Sequence, residues 1–318
     1  FRVPGFARWV EAHAGAEGSP PGPAPEARPL GGDAGRARIV DVAAGDTHAA
    51  LRDRDGRVFV FGHNSHGQLG LGDDLVGEEV EQPRLVPSTA AAAGRVAQVA
   101  CGGRHTILRT TAGAVLAAGD DSMLQLGLRS GSVSSLKHEP RQRGAFCEIP
   151  LLVQLKATTG KEVEEADRWR ASAVAAGSAH SLFCLEHAGT GATLLLACGY
   201  GRFGQLGDGQ LRHMSPVREV KGLNGLLEWN EGAGKVTALR VEALAAGDEH
   251  SAAALSSGDV YTWGNNAWGQ LGNGSRALSP VPIRIATELR TEESRFALHV
   301  ERLMCSRHSC AAVQVRTG

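Results

Sequence analysis

Histidine, glutamine and cysteine are the side chains whose spacing in this sequence invites a chemical reading. Five histidines follow a Gly-x-x-His unit or its relative: Gly45-Asp-Thr-His48, Gly102-Gly-Arg-His105, Gly177-Ser-Ala-His180, Gly247-Asp-Glu-His250 and Cys305-Ser-Arg-His308. Imidazoles can ligate a metal or relay a proton. Here, however, the same residue holds the same place in every unit, at separations of 57, 75, 70 and 58 residues, so symmetry spreads the rings instead of converging them. The expected role is structural, with both ring nitrogens satisfying neighbouring backbone groups. Gln68, Gln125, Gln205 and Gln270 each open a Gln-Leu-Gly unit and are read the same way, as amides that tie a loop to the next unit. The six cysteines (101, 147, 184, 198, 305 and 310) form no CxxC pair and no zinc spacing. Several sit in apolar runs, which reads as reduced, buried thiols of an intracellular protein.

Three weaker patterns fail on their mechanics. Gly199-Tyr-Gly201-Arg-Phe-Gly204 matches a dinucleotide fingerprint and follows the apolar run Leu194–Cys198. Pyrophosphate binding needs a helix to start there, whereas Gln205-Leu-Gly-Asp-Gly209 is a poor helix former. Gly232-Ala-Gly-Lys235 resembles the end of a phosphate-binding loop, but Trp229 stands where its first glycine belongs and Val236 where a hydroxyl should hold magnesium. His63 and His66 near Asp73 and Asp74 have metal-ligating types. The matching slots of a later repeat hold Asn265 and Trp268, so these are turn residues. No catalytic group, metal or cofactor is expected.

The elements that position these residues are repeated too. A glycine precedes each glutamine by six residues (Gly62, Gly119, Gly199 and Gly264), and follows its histidine by 14 residues in three copies and 19 in the third. Between the anchors lie short alternating runs. Ile39–Ala43, His48–Leu51 and Arg57–Phe61 read as strands, with a hairpin turn at Asp55-Gly56. Val241–Ala245, His250–Leu255 and Asp259–Trp263 repeat the pattern, and Ser279–Ile285 closes it as an edge strand that tolerates its prolines. Four strands per unit predict an all-β fold, a β-propeller of four-stranded antiparallel blades. Four full repeats (about 37–93, 94–168, 169–234 and 235–295) are followed by a partial fifth at 296–318, giving a small or incompletely closed ring. Residues 1–36, rich in proline, form an N-terminal arm.

The runs VAAGDTHAALRDRDGRVFVFGHNSHGQLG from Val42 and LAAGDEHSAAALSSGDVYTWGNNAWGQLG from Leu244 make the chain resemble the regulator of chromosome condensation family. The resemblance covers about 37–318. It implies a β-propeller, with guanine-nucleotide exchange on a small GTPase as one activity known in the family and chromatin binding through a basic tail as another. A light-sensing relative uses tryptophans in the turn before the repeat histidine; here those turns hold Gly103-Arg104 and Asp248-Glu249.

With 33 basic against 34 acidic residues in 318, the chain lacks the cationic excess of a nucleic-acid binder, so DNA is not an expected partner. No apolar run is long enough to span a bilayer. Function is therefore expected where the repeat is broken. The arm offers Phe6 and Trp9, the segment Arg129–Arg168 offers Lys137, Arg141 and Arg143, and Lys221–Lys235 offers Trp229. The reading is a non-catalytic interaction propeller, a structural or assembly subunit whose partners are other protein subunits. A small GTPase and RNA are the alternative partners. The compartment is intracellular; the arginine-rich composition and the absence of an initial Met favour the mitochondrion, with cytoplasm and nucleus open.

Overall fold

The computed structural model describes residues 31–35, 37–87, 94–128, 142–160, 168–230, 235–285 and 299–315. Four antiparallel sheets follow one another, each a meander of four strands paired in chain order. The first blade contains β1 (Ile39–Ala44), β2 (His48–Asp53), β3 (Val58–His63) and β4 (Glu79–Leu85), and the second contains β5 (Val96–Cys101), β6 (His105–Thr110), β7 (Val115–Asp120) and β8 (Gln142–Glu148). A helix, α1 (Leu151–Thr159), comes next. The third blade is β9 (Trp169–Ala176), β10 (His180–His187), β11 (Thr193–Gly201) and β12 (Arg212–Glu219). A hairpin, β13 (Leu227–Asn230) with β14 (Lys235–Ala238), leads to the fourth blade, β15 (Val241–Ala246), β16 (His250–Leu255), β17 (Val260–Gly264) and β18 (Ser279–Ile285). A two-stranded unit ends the described chain, β19 (His299–Cys305) with β20 (Cys310–Val315).

The first strand of each blade lies beside the first strand of the next. Blades therefore stack face to face and share the cores between them, while Leu51 and Phe59 of blade one pack with Ala34, upstream of β1, in a separate cluster. Ile107, Val115, Phe183 and Leu196 fill the space between blades two and three, while Leu182, Leu195, Leu255 and Trp263 fill that between three and four. A second strand is thus covered on both faces. That explains why β16 (His-Ser-Ala-Ala-Ala-Leu) is a strand despite alanine's poor β preference: small side chains are what fit between stacked sheets. Outer strands carry prolines at 83, 216, 280 and 282, where fewer ladder donors are needed.

The all-β blades and the partial fifth unit match the expected fold. Two segments expected as irregular insertions are partly regular. Within Arg129–Arg168, β8 is the outer strand of blade two. Helix α1 buries Leu151 and Leu155 against the core shared with blade three, and Gln154 Nε2 donates to Leu128 O at 3.0 Å. Within Lys221–Lys235, Leu223 is buried under blade three and β13 begins at Leu227.

The cysteines also depart from expectation. Cys101, Cys184 and Cys198 are buried free thiols and Cys147 is half-buried, but Cys305 and Cys310 are joined as a disulfide. The reason is register: they are directly opposed on β19 and β20, with Cα atoms 4.2 Å apart. No helix of the described residues is long and apolar enough to cross a membrane.

Candidate interaction face

The repeat histidines open the second strand of blades one to four, and their rings reach into the next blade. His48 Nε2 lies 2.8 Å from Thr106 Oγ1, His105 Nε2 3.0 Å from Ser181 Oγ, and His180 Nε2 3.0 Å from Ser251 Oγ. Each hydroxyl donates its proton to a glutamine main-chain carbonyl of the histidine's own blade. Thr106 bonds Gln68 O at 2.6 Å, Ser181 bonds Gln125 O at 2.6 Å and Ser251 bonds Gln205 O at 2.8 Å. A carbonyl only accepts, so the hydroxyl must in turn accept from the imidazole, which fixes the tautomer with hydrogen on Nε2.

Burial keeps these rings neutral, pushing His48 and His250 down to about 4 and His105 and His180 to about 3. The expectation that both ring nitrogens would be satisfied fails, because Nδ1 of all four has no hydrogen-bond partner. It lies against the glycine that opens the turn. The ring edge occupies the place of a side chain there, and a Cβ on Gly45 would also strike the carbonyl of Gly102 in the next blade. This close approach is why the unit must begin with glycine.

The glutamines divide two tasks differently from the expectation. The side-chain oxygen closes its own turn: Gln68 accepts from His66 N at 2.8 Å, Gln125 from Met123 N at 2.8 Å, Gln205 from Phe203 N at 3.0 Å and Gln270 from Trp268 N at 2.9 Å. The link to the next blade runs through the main-chain carbonyl instead. Thr106, Ser181 and Ser251 were missed in the sequence, although each directly follows its histidine.

The fifth unit is shifted by one residue. Gly45, Gly102, Gly177 and Gly247 each donate N–H to the carbonyl of their histidine, whereas in this unit Ser306 N donates to Ser309 O at 2.8 Å. Ser306 therefore stands for the glycine, Ser309 for the histidine and Cys310 for the hydroxyl. His308, expected as the fifth repeat histidine, is instead an exposed turn residue whose ring lies 5.7 Å from that of Trp268.

With the repeated polar groups consumed in the joints, the turn residues between them form a solvent-facing surface. A hollow of about 250 Å³ is lined by Asp46, Arg104, Asp120, Ser122, Met123 and Ser178, among others, from three successive blades. Farther along, Arg307 Nε meets Asp248 at 3.0 Å. Burial raises the Asp248 carboxyl, the Asp46 charge raises it further, and Arg307 opposes both. Aromatic rings continue the surface: Tyr200 packs edge-on to Phe203 and His213, and Trp268 is 70 % exposed.

Of the residues expected at irregular sites, Arg143 sits half-buried in β8 and Trp229 lies in β13, paired with Val236. Phe6, Trp9, Lys137 and Arg141 lie outside the described residues. On β13–β14, Leu227 and Val236 are 66 % and 54 % exposed. The glycine pattern at Gly199–Gly204 ends β11 and runs into the Gln205 turn, not a helix. His63 pairs with Glu79, His66 with Ser65, and Asp73 accepts from Gly144 N, so these residues do not converge.

Successive four-stranded blades joined by a histidine–hydroxyl–carbonyl relay define a β-propeller built of sequence repeats. Two family models described as the Regulator of chromosome condensation (RCC1) repeat match this chain, one at residues 55–108 and 257–313, the other at 39–68, 96–125 and 241–270. The chain belongs to that repeat family. It is 30 % identical over 261 residues to the human E3 ubiquitin-protein ligase HERC2, a match covering 81 % of this chain and 4 % of the ligase. Among solved structures, human WBSCR16 superposes with a TM-score of 0.63 at 21 % identity, covering 88 % of this chain and 59 % of that one. Yeast RCC1 (Prp20), solved bound to Kap60, gives a TM-score of 0.59 at 19 % identity, covering 89 % and 55 %. The chain thus spans a small fraction of the ligase and little more than half of the solved propellers.

Proposed function

We propose that this chain is a non-catalytic protein-interaction propeller, serving as a structural or assembly subunit of a larger complex, and that the turn face is its recognition surface. One observation carries the reading. The recurring histidines are neutral, buried and bonded across the joints and the recurring glutamine side chains are buried in their own turns, while charge and aromatic area collect among the non-repeated turn residues. Architecture uses the regular positions, and recognition is left to the irregular ones. The composition, with 28 of the 33 basic residues arginine, leans toward a mitochondrial setting.

Affinity purification of the full chain from its native source tests this. A stoichiometric assembly, weakened by Trp268→Ala or Arg307→Glu at unchanged melting temperature, is the expected result. A second reading is guanine-nucleotide exchange. It is supported by likeness to a yeast propeller whose structural study concerns binding to Gsp1p and histones, and by the exposed apolar face of β13–β14. Accelerated nucleotide release from a captured GTPase, abolished by Leu227→Asp, would select that reading; an RNA recovered at stoichiometry would displace both.

A further inference from the structure

The fourth joint breaks the pattern of the other three. Where Thr106, Ser181 and Ser251 present hydroxyls, β20 presents Cys310, and its Sγ lies 3.1 Å from His250 Nε2. Across the strand pair, the position opposite is alanine in three blades (Ala44, Ala176 and Ala246) and cysteine in two (Cys101 and Cys305). Only in the last unit are both members of the pair cysteine. His250 Nε2 and the two sulfurs lie within 4.8 Å of one another.

This pair is also open to solvent. Cys305 and Cys310 are half-buried and the turn between them, Ser306–Ser309, is exposed. Cys101, Cys184 and Cys198 are enclosed, and burial pushes the first two thiols up to about 12 and the third well above its ordinary value. Exchange needs an accessible sulfur with thiolate character, which those three lack.

We propose that Cys305 and Cys310 are a reversible thiol–disulfide site that exchanges with low-molecular-weight disulfides, and that its state controls the joint between blade four and the last hairpin. In the reduced form Cys310 is the attacking sulfur, because the Nε2–H of His250 can stabilise its thiolate. The Cys310 thiolate attacks a disulfide RSSR, forming a mixed disulfide and releasing one RS⁻. The Cys305 thiolate then attacks Cys310 Sγ and releases the second. Protein dithiol plus RSSR becomes protein disulfide plus two RSH, so the two protons and two electrons lost by the protein appear on the thiols.

The structural consequence follows from the relay. As a thiol, Cys310 can accept from His250 and donate S–H, the two functions of the Thr106, Ser181 and Ser251 hydroxyls at the other joints. As half of a disulfide it has no proton to donate, so the joint loses its donor while β19 and β20 gain a covalent tie.

The full chain, equilibrated in buffers of graded reduced-to-oxidised glutathione ratio, is quenched by alkylation and read by peptide mass. Cys305 and Cys310 are expected to switch together across the series, while Cys101, Cys184 and Cys198 resist alkylation in the native protein. Melting temperatures of the two forms should differ, and Cys310→Ser, which restores the hydroxyl, should melt identically under both conditions. A pair that stays wholly reduced or wholly oxidised at every ratio would overturn the proposal. So would equal melting of the two wild-type forms, or zinc protecting the dithiol at one equivalent, since the cluster would then be a metal site.

Discussion

His180 shows how much one side chain carries. Its Nε2–H reaches Ser251, and its ring edge fills the space above Gly177. His180→Ala removes a donor and leaves the Ser251 hydroxyl short of a partner inside a closed joint, and it should lower stability by about 1–3 kcal/mol in denaturant titration. Loss of partner binding at unchanged stability would show the ring to be functional instead. Protonation gives a second prediction. The folded values of about 3 to 4 for the four buried histidines lie below the ordinary 6.5, so the unfolded chain takes up protons first as pH falls. Stability should be intact above pH 6.5 and decline below it, by about 1.4 kcal/mol per pH unit for each ring, until the folded values are reached. Thermal melts that stay level between pH 7 and pH 4.5 would contradict this. The Gly-x-x-His spacing revealed that these residues are regular. It could not reveal the hydroxyl partners, because a relay between residues 58 to 76 positions apart is set by how blades pack.

At the scale of elements, the strands were legible because their period and turn glycines are local. The β18 bounds, for example, are the same in sequence and structure. Helix α1 was not. Its nine residues follow a proline and lack a polar cap, and what holds them helical is burial of Leu151 and Leu155 between two blades. Leu155→Ala should therefore cost about 2–5 kcal/mol, measured by chemical denaturation, although the helix is too short to persist alone. Gly177→Ala tests the turn. Its Cβ would strike both the His180 ring and the Gly247 carbonyl, and with little room to yield it should cost about 1–3 kcal/mol in the same measurement. The one-residue shift of the last unit escaped notice because His308 satisfied the motif; the Ser306–Ser309 hydrogen bond and the Cys305–Cys310 register show which residue occupies the histidine's place.

For the molecule as a whole, the informative contrast is between shared cores and unshared surface. Because the cores between adjacent units belong to both neighbours, a cavity at one joint is felt by both, and stability should follow nearest-neighbour rules. The recognition surface proposed above obeys no such rule. Replacing Tyr200 and Trp268 together by alanine should reduce capture of partners at least tenfold in pull-down titrations while shifting the melting temperature little, since Trp268 is largely exposed and Tyr200 half-buried. In the sequence, interaction is expected in the irregular segments; the turn face is proposed from the structure, because which turn residues share a face depends on how the blades pack.

One residue gives the series a direction. The position that carries a hydroxyl in blades two, three and four is Ala49 in blade one, packed against Ala44 with nothing to offer a ring arriving from upstream. Each blade grasps the one that comes after it through this relay, and blade one lacks the hydroxyl handle; the described residues before it are held otherwise, by Leu85 N donating to Asp33 and by burial of Ala34. Mechanical or thermal fraying should consequently be asymmetric: a blade detached from its successor surrenders its histidine's bond, whereas blade one gives up none by losing whatever precedes it.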